Sequence, residues 1–383
     1  MKRQSILYIT LLSIILLFSV GCEQTEKQNS TKKADSTKMT DKEDAPYFCI
    51  VCHKNGKNSG ETAFLVYDIE SKTMVQALDV TALCEFPMGV VDVKNDKVYY
   101  SLWGDFEKKG TRAGDCLMCY DMKTKKQWQV TEIHHLFDYL TIYNGELYGN
   151  IAGRESNGNP QLSKINTETG KITPIEPDNT DVWYKDISID YQTGEILASS
   201  YSNYASRRYD KNVKKDKYIP WPFFLHSISP DLQASKVIYT FSDAPYTSLF
   251  DNYTEDNKTL NKKRKATANQ MLISEFSRLN DHQILFLGAK DVFGDLSLKL
   301  LDTTSKTVSD FKIDGKKLDE PCYVSKDKKD IFVSLEPKGS KSGMYRYHLA
   351  DKSKEFLFGG KELRKALGWK GEYEIVTLQL IYQ

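Results

Sequence analysis

The feature that most constrains the fold is a hairpin signal that recurs along the chain. Each copy is a run of β-branched and aromatic residues, a short polar turn and a second such run, found at 90–103, 140–151, 187–200, 273–288 and 322–335. Turn pairs such as Asn144-Gly145 tolerate the positive φ that tight hairpins need. The turns at Asp96, Gly145 and Gly194 are about 49 residues apart. This regular spacing indicates a repeated structural unit.

A second signal follows in each unit: a strand that ends in a polar turn, usually containing Ser or Thr and Lys. Its six copies lie at 64–73, 117–126, 162–171, 224–236, 298–307 and 344–354, and each leads into another β-rich run. Four strands in about 45–50 residues are typical of a propeller blade. Only five hairpins accompany these six copies. We therefore expect the final run, 375–382, to be the inner strand of the first blade and 47–53 its second strand, which removes free sheet edges.

The sequence thus predicts an all-β fold, a six-bladed β-propeller over 47–383 closed by the C-terminal strand. Seven blades are the alternative if 201–269 contains a degenerate blade, and tandem β-sandwiches are a further interpretation. The period and strand order resemble those of TolB-like six-bladed propellers, which occur in many bacterial lipoproteins. The resemblance covers roughly 47–383 and implies a fold, but it carries no functional residues that could be transferred.

The N-terminus has the organisation of an export signal. Lys2 and Arg3 precede an apolar stretch of about 15 residues, which is short for a transmembrane helix and suits a signal peptide. The run 17–22 (LFSVGC) resembles a bacterial lipobox, although Ser19 stands where Leu is usual. The resemblance implies cleavage after residue 21 and acylation of Cys22. The alternative is an ordinary secretory signal with an incidental cysteine.

Residues 22–46 begin with the lipidated cysteine and continue as a tract with almost no apolar side chains. Such a tract cannot bury a core and is expected to be a disordered linker, with a reach of roughly 27 Å. We therefore expect an exported protein, attached to a membrane by its acyl chains and facing outside the cytoplasm. The chain has 53 basic and 52 acidic residues, so its net charge of +1 gives no electrostatic case for nucleic-acid binding.

Long connections between predicted strands would all lie on one side of the propeller. They include 104–114, 152–161, 201–222 and 243–269, and long loops on a rigid scaffold often carry function. The candidate binding residues in or beside these loops are aromatic or basic: Trp103, Arg154, Trp183, Tyr184, Arg207, Arg208 and Trp221. Each of them could instead cap a small cluster within its own loop. For the face as a whole we favour a binding or scaffolding role toward a peptide, glycan or partner protein.

The main alternative is a propeller enzyme, a lyase or hydrolase acting in the central channel. Carboxylates on the predicted inner strands would supply its chemistry, and the candidates are Asp92, Asp186, Asp190 and Glu275. No P-loop, dinucleotide-binding, nucleophile-elbow or zinc-protease motif is present in the sequence. We therefore assign no catalytic residue and no cofactor from the sequence.

A minor alternative rests on two C-x-x-C motifs. Cys49, Cys52 and His53 match the C-x-x-C-H haem attachment pattern, and Cys116 and Cys119 form a second pair. Both pairs fall on predicted strands, where cysteines three positions apart point to opposite faces. Haem, zinc and redox functions are therefore disfavoured, and buried thiols between the blades are the expected role.

Overall fold

The structure, a computed structural model, describes residues 45–54, 61–81, 88–103, 114–133, 135–204, 223–241, 272–289, 296–337 and 340–382. Six four-stranded antiparallel sheets form a six-bladed propeller. This confirms the predicted all-β class and the six blades. The predicted signal peptide, lipidated Cys22 and most of the linker lie outside the described residues.

The first three blades follow one another along the chain. The three outer strands of blade 1 are β1 (Tyr47–Lys54), β2 (Glu61–Asp68) and β3 (Thr73–Thr81). Blade 2 consists of β4 (Gly89–Asp92), β5 (Lys97–Trp103), β6 (Asp115–Asp121) and β7 (Gln127–Gln129). Blade 3 consists of β8 (Leu136–Tyr143), β9 (Glu146–Ala152), β10 (Gln161–Ile165) and β11 (Ile172–Pro174), with a short 3-10 turn at Arg154–Ser156.

The other three blades repeat this order, and the chain returns to blade 1. Blade 4 consists of β12 (Val182–Ile189), β13 (Ile196–Ser202), β14 (Phe223–Ile228) and β15 (Ser235–Phe241). Blade 5 consists of β16 (Leu272–Arg278), β17 (Gln283–Ala289), β18 (Ser297–Asp302) and β19 (Thr307–Asp310), and a small hairpin follows, β20 (Lys312–Ile313) and β21 (Lys316–Lys317). Blade 6 consists of β22 (Cys322–Val324), β23 (Asp330–Leu335), β24 (Gly343–His348) and β25 (Lys354–Phe358), before helix α1 (Gly360–Leu367) and β26 (Tyr373–Ile381).

The last strand closes the ring as the sequence predicts. Strand β26 pairs antiparallel with β1, from Ile381 opposite Tyr47 to Tyr373 opposite Lys54. It is the inner strand of blade 1, so this blade is made of one C-terminal and three N-terminal strands. Pairing of the two ends of the chain removes the free edges that an open ring would expose.

The repeated turn signals have clear structural roles. The turn at Asn144-Gly145 has positive φ at both residues, 50° and 76°, as a two-residue hairpin of this kind requires. At the ends of the third strands, one side-chain oxygen accepts hydrogen bonds from the N–H groups two and three residues later, at Asp68, Asp121, Asn166 and Asp302. These Asx turns explain the polar signal, because each one reverses the chain into the fourth strand of its blade.

The core is divided among the interfaces between blades. One cluster joins blades 1, 2 and 3, around Phe64, Val90 and Ile142, and a second joins blades 1 and 6, around Phe48 and Phe332. Three further clusters fill the interfaces of blades 3 and 4, 4 and 5, and 5 and 6. The inner strands β26, β4, β8, β12, β16 and β22 thus surround a central channel on a rigid frame. Within the described ranges, no helix has the length and apolarity needed to cross a bilayer.

Candidate functional site

The inner strands of three consecutive blades are interrupted by β-bulges, and each bulge carries an acidic residue. The pairing of β8 shifts at Asp138, that of β12 at Lys185 and Asp186, and that of β16 at Glu275 and Phe276. A bulge adds an unpaired residue to a strand and redirects its side chain. Glu275 also has a φ of 53°, a backbone conformation that is costly for a residue with a Cβ. Such strain is concentrated at functional positions.

A cavity of about 40 Å³ lies between the inner strands, enough for about three water molecules. Five of its lining residues have polar side chains and come from four different blades, and we call them the channel wall: Tyr139, Thr141, Glu275, Tyr323 and Gln379. They come from blades 3, 5, 6 and 1, so the cavity lies on the propeller axis. The side-chain amide of Gln379 donates to the carbonyl of Leu140 at 2.8 Å and thereby links blade 1 to blade 3.

The carboxyl group of Glu275 has an unusual environment. Its side chain is exposed, yet the protein around the carboxyl group desolvates it and raises its pKa to about 7, with a further increase from the nearby charge of Asp186. Asp186 accepts a hydrogen bond from the hydroxyl of Ser199 at 3.3 Å. The channel therefore holds two neighbouring carboxyl groups, of which Glu275 titrates close to neutral pH.

Asp138 lies in the bulge of the preceding blade. Burial raises its pKa to about 6, while the positive charge of Lys185 lowers it and the negative charge of Asp115 raises it. A carboxyl group in this position changes charge over a physiologically relevant range of pH. Asp138 is thus a third acidic side chain on a bulged inner strand, and it lies near Lys185.

The end of the channel on the side of the tight turns is closed by side chains that we call the channel floor. The rings of Tyr191 and Tyr382 meet with their centroids 5.3 Å apart. Lys328 forms an ion pair with Asp190 at 2.5 Å and donates to the carbonyl oxygen of Arg278 at 3.1 Å. These contacts connect blades 1, 4, 5 and 6 near the axis.

Four apolar or aromatic residues lie at the long-loop end of the propeller, and we call them the channel mouth: Leu136, Trp183, Tyr204 and Ile375. Leu136, Ile375 and Tyr204 are large hydrophobic residues exposed by 47%, 40% and 69%. Three of them belong to inner strands β8, β12 and β26 at the ends where the long loops attach, and Tyr204 follows β13. Exposed apolar side chains such as those of Leu136, Tyr204 and Ile375 are typical of a binding surface.

The predicted binding-face residues that the structure describes differ in exposure and in the contacts they make. Arg154 is exposed in the 3-10 turn and lines an open depression next to His135, whose ring contacts Glu155 at 3.1 Å. Trp183 is half-buried, because its indole N–H donates to Asn159 at 2.7 Å and its ring packs on Tyr201.

The prediction for Tyr184 is corrected by the structure. This residue is only 1% exposed, and its hydroxyl donates to Glu176 at 3.0 Å while its ring packs against His226. It is a core residue at the interface of blades 3 and 4 and cannot contact a ligand at the surface. Trp103 belongs to β5, but its side chain is not among those the structure describes, and Arg207, Arg208 and Trp221 lie outside the described residues.

The four acidic residues predicted on inner strands separate into two groups. Asp186 and Glu275 face the channel region, as described above. Asp92 and Asp190 are buried in the turns after their strands, where Asp92 accepts from the backbone and side-chain amides of Asn95 and Asp190 accepts from the N–H of Gln192. These two are therefore structural, whereas of the bulged positions Glu275 lines the cavity and Asp186 lies near it.

The C-x-x-C motifs do not bring their thiols together. Cys49 packs at the interface with blade 2 and Cys52 at the interface with blade 6, so the two point to opposite faces of blade 1. Burial raises the pKa of both thiols to about 12 and that of Cys119 to about 11. Cys116 is also buried, and His53 is half-buried beside Cys52. Among the described residues, no group of three His, Cys, Asp or Glu side chains is placed to hold a metal ion.

Sequence reasoning missed several wall residues. Tyr139, Tyr323 and Gln379 lie on strands that were correctly predicted as inner strands, so the polar residues on those strands were the available signal. Asp138 had no such signal, since its position depends on a bulge. The channel, rather than the loops alone, is thus the candidate site that the described residues define.

Comparisons with known proteins find structural similarity at low sequence identity. No protein-family profile and no curated protein matches the sequence. Among solved structures, TolB from Acinetobacter baumannii is 10% identical with a TM-score of 0.43, over 80% of this chain and 62% of that one, so the match spans less than two thirds of the TolB chain. A nidogen/laminin complex is 7% identical with a TM-score of 0.40, over 81% and 91% of the two chains. An oligogalacturonate lyase in complex with manganese is 9% identical with a TM-score of 0.40, over 76% and 74%.

Proposed function

We propose that this chain is an exported lipoprotein, anchored through Cys22, whose propeller binds a ligand that enters the central channel from the long-loop end. The ligand is a peptide, a glycan or an exposed segment of a partner protein. The observation that carries the proposal is the construction of the channel, with a closed floor, a polar wall and an exposed apolar mouth. The apolar mouth favours an extended ligand over a free ion, because it offers contact area above the polar wall.

The mouth gives a direct test of ligand binding. A panel of short peptides and oligosaccharides would be screened by thermal shift against the full mature chain, and binders would be titrated. Replacing Leu136 or Ile375 with Ser is expected to weaken binding about tenfold each, the effect of losing the burial of one aliphatic side chain. Trp128 and Val237 are exposed hydrophobic residues on the outer strands β7 and β15, so W128S and V237S are matched controls.

The controls are expected to bind as the unmodified chain does. If no member of the panel binds, or if the outer-strand variants lose as much affinity as the mouth variants, the proposal of a channel-mouth site is wrong.

The membrane anchor has its own test. Replacing Cys22 with Ala is expected to move the protein from the membrane fraction to the soluble exported fraction, because acylation of this thiol provides the attachment. Replacing Ser19 with Leu, which makes the lipobox more typical, is the matched control and should leave the protein in the membrane fraction. Retention of the Cys22→Ala protein in washed membranes would contradict the anchor.

A second candidate function is favoured by one observation. Glu275 has a pKa of about 7 and lies next to Asp186, and a carboxyl group that titrates near neutral pH is suited to general acid–base catalysis in a lyase or hydrolase. If the protein is such an enzyme, Glu275→Gln is expected to lower kcat at least 100-fold on any ester, lactone or glycan substrate that is turned over. Equal turnover by the variant would exclude this role for Glu275.

A further inference from the structure

The channel wall contains a hydrogen-bond acceptor whose partner is missing from the protein. Gln379 is only 4% exposed, and its Oε1 atom lacks a hydrogen-bond partner among the described residues. Its orientation is fixed, since the amide nitrogen donates to the carbonyl of Leu140 and a flipped amide would set two oxygens against each other. A buried acceptor without a donor costs roughly 1–3 kcal/mol, so a ligand that donates to it would be favoured.

Two other polar groups of the cavity can accept a hydrogen bond from a ligand. The hydroxyl of Tyr323 already donates to the carbonyl of Leu378 at 2.5 Å, so its oxygen can only accept from a ligand. Glu275 accepts when it is ionised, and among the described residues that line the cavity it alone carries a formal charge. Asp186 adds negative potential from the neighbouring strand. A cavity with acceptors, negative charge and no lining cation favours a positively charged donor.

From this arrangement we propose that the central cavity binds a primary ammonium group, with Glu275 and Gln379 as its direct acceptors. The inference rests on the proposed channel-binding function and names the chemical group that the channel would recognise. An ammonium group presents three N–H donors on one small atom and matches the acceptors of the wall. The group belongs either to a small amine or to a lysine side chain or free N-terminus of a bound segment.

The size of the cavity distinguishes an ammonium group from other cations. A volume of about 40 Å³ accommodates a group the size of one water with some remaining solvent, but is tight for a planar guanidinium. Quaternary amines have no N–H and would leave Gln379 unpaired. Calcium and magnesium need six or more oxygen ligands, whereas the described residues hold no cluster of three acidic, His or Cys side chains.

Binding is expected to depend on pH through Glu275. The groups that face this carboxyl from the surrounding strands are Asp186 on β12, Tyr139 on β8, and Cys322 and Tyr323 on β22. The phenols and the thiol have raised pKa values and stay neutral between pH 6 and pH 8. A carboxyl group with a pKa of about 7 passes from about one-tenth to nine-tenths ionised over this range, so an ammonium ligand is expected to bind up to about tenfold more tightly at pH 8.

The test uses n-butylamine and a lysine-containing pentapeptide as probes of the full mature chain, by calorimetry and thermal shift at pH 8. n-Butanol, tetramethylammonium chloride, calcium chloride, manganese chloride and a norleucine-containing pentapeptide are the matched controls. Saturable binding of the amine or the lysine peptide alone is expected, and the tighter of the two identifies the source of the ammonium group. Equal or tighter binding of tetramethylammonium, calcium or manganese would overturn the proposal, and so would no binding of either amine probe.

Two wall variants localise the binding. Glu275→Gln and Gln379→Met are each expected to weaken amine binding at least tenfold, and Glu275→Gln is expected to remove its dependence on pH. Glu168→Gln, in an exposed turn of blade 3, is the control and should bind normally. Unchanged amine affinity in both wall variants would overturn the assignment. If the amine fails to bind while a panel ligand still loses affinity in the Leu136 and Ile375 variants, the ammonium inference is wrong and the channel-mouth function stands.

Discussion

The rings of Tyr191 and Tyr382 touch across the axis of the propeller, with centroids 5.3 Å apart, although the two residues follow inner strands of opposite blades. Tyr191 also donates its hydroxyl to the carbonyl oxygen of Ile142 at 3.3 Å, and its ring packs on Tyr143. Blades 1, 3 and 4 are therefore joined at one point on the axis. This contact closes the floor of the channel and links blades on opposite sides of the ring.

Removing that contact is expected to lower the stability of the whole propeller. Tyr191→Ala is expected to lower the free energy of unfolding by about 3 kcal/mol, the typical cost of deleting a packed aromatic side chain. Tyr191→Phe keeps the ring but loses the hydrogen bonds of its hydroxyl with Ile142 and Thr141, and should cost about 1–2 kcal/mol. Urea titrations of both variants would measure the difference. Equal stability of the two variants would show that the ring contact contributes little.

The contributions of Lys328 and Asp190 to the free energy of unfolding are expected to be strongly coupled. The side chain of Asp190 is 1% exposed and that of Lys328 is 15% exposed, so solvent screens the pair poorly. Lys328→Met leaves a buried carboxylate without its cation and is expected to cost about 3–5 kcal/mol.

A double-mutant cycle checks this coupling. The double variant Asp190→Asn, Lys328→Met should be more stable than the sum of the single effects predicts, with a coupling energy of about 1–3 kcal/mol. Additive effects in urea unfolding would mean that the two side chains act independently. Lys329→Met, a substitution of the exposed neighbouring lysine, is the control and should change stability little.

The strand order was predictable from the sequence, whereas the site was predictable only in part: Asp186 and Glu275 were candidates, but the bulges that position them were not. Hairpin and turn signals depend on short stretches of chain, so local chemistry at Asn144-Gly145 or Asp302 is enough to place strands. Bulges depend on packing between blades. The bulge at 185–186 explains the error at Tyr184, because the added residue lets Tyr184 and Ile187 pack in the same cluster although they are three positions apart. Strict alternation along β12 would place them on opposite faces.

The stability of the protein should depend on pH through the channel carboxyls. The folded-state pKa of Glu275 is about 7, above the 4.5 of an ordinary glutamate, so between these values the folded state binds more protons than the unfolded state. The free energy of unfolding should therefore fall as the pH rises from 5 to 8. Asp138, with a pKa of about 6, contributes in the same direction.

Substitution of the carboxyl group isolates this contribution. The Glu275→Gln variant is expected to show a smaller loss of stability from pH 5 to pH 8 than the unmodified chain, in urea unfolding followed at each pH. Glu168→Gln should reproduce the unmodified profile, since its side chain is exposed. A variant profile parallel to that of the unmodified chain would contradict the raised pKa of Glu275.

Closure of the ring by β26 predicts what removal of the C-terminus does. Deletion of 375–383 removes most of the inner strand of blade 1, including the buried side chains of Leu380 and Ile381, and exposes the edge of β1. The truncated chain is expected to melt at lower temperature, with a broader transition and a tendency to aggregate through the free edge. A circular permutant that links residue 382 to residue 45 and opens the chain at the exposed turn 168–169 keeps every strand and should melt cooperatively. If the truncated chain melts as the full chain does, β26 is dispensable, and stability of the propeller does not depend on ring closure.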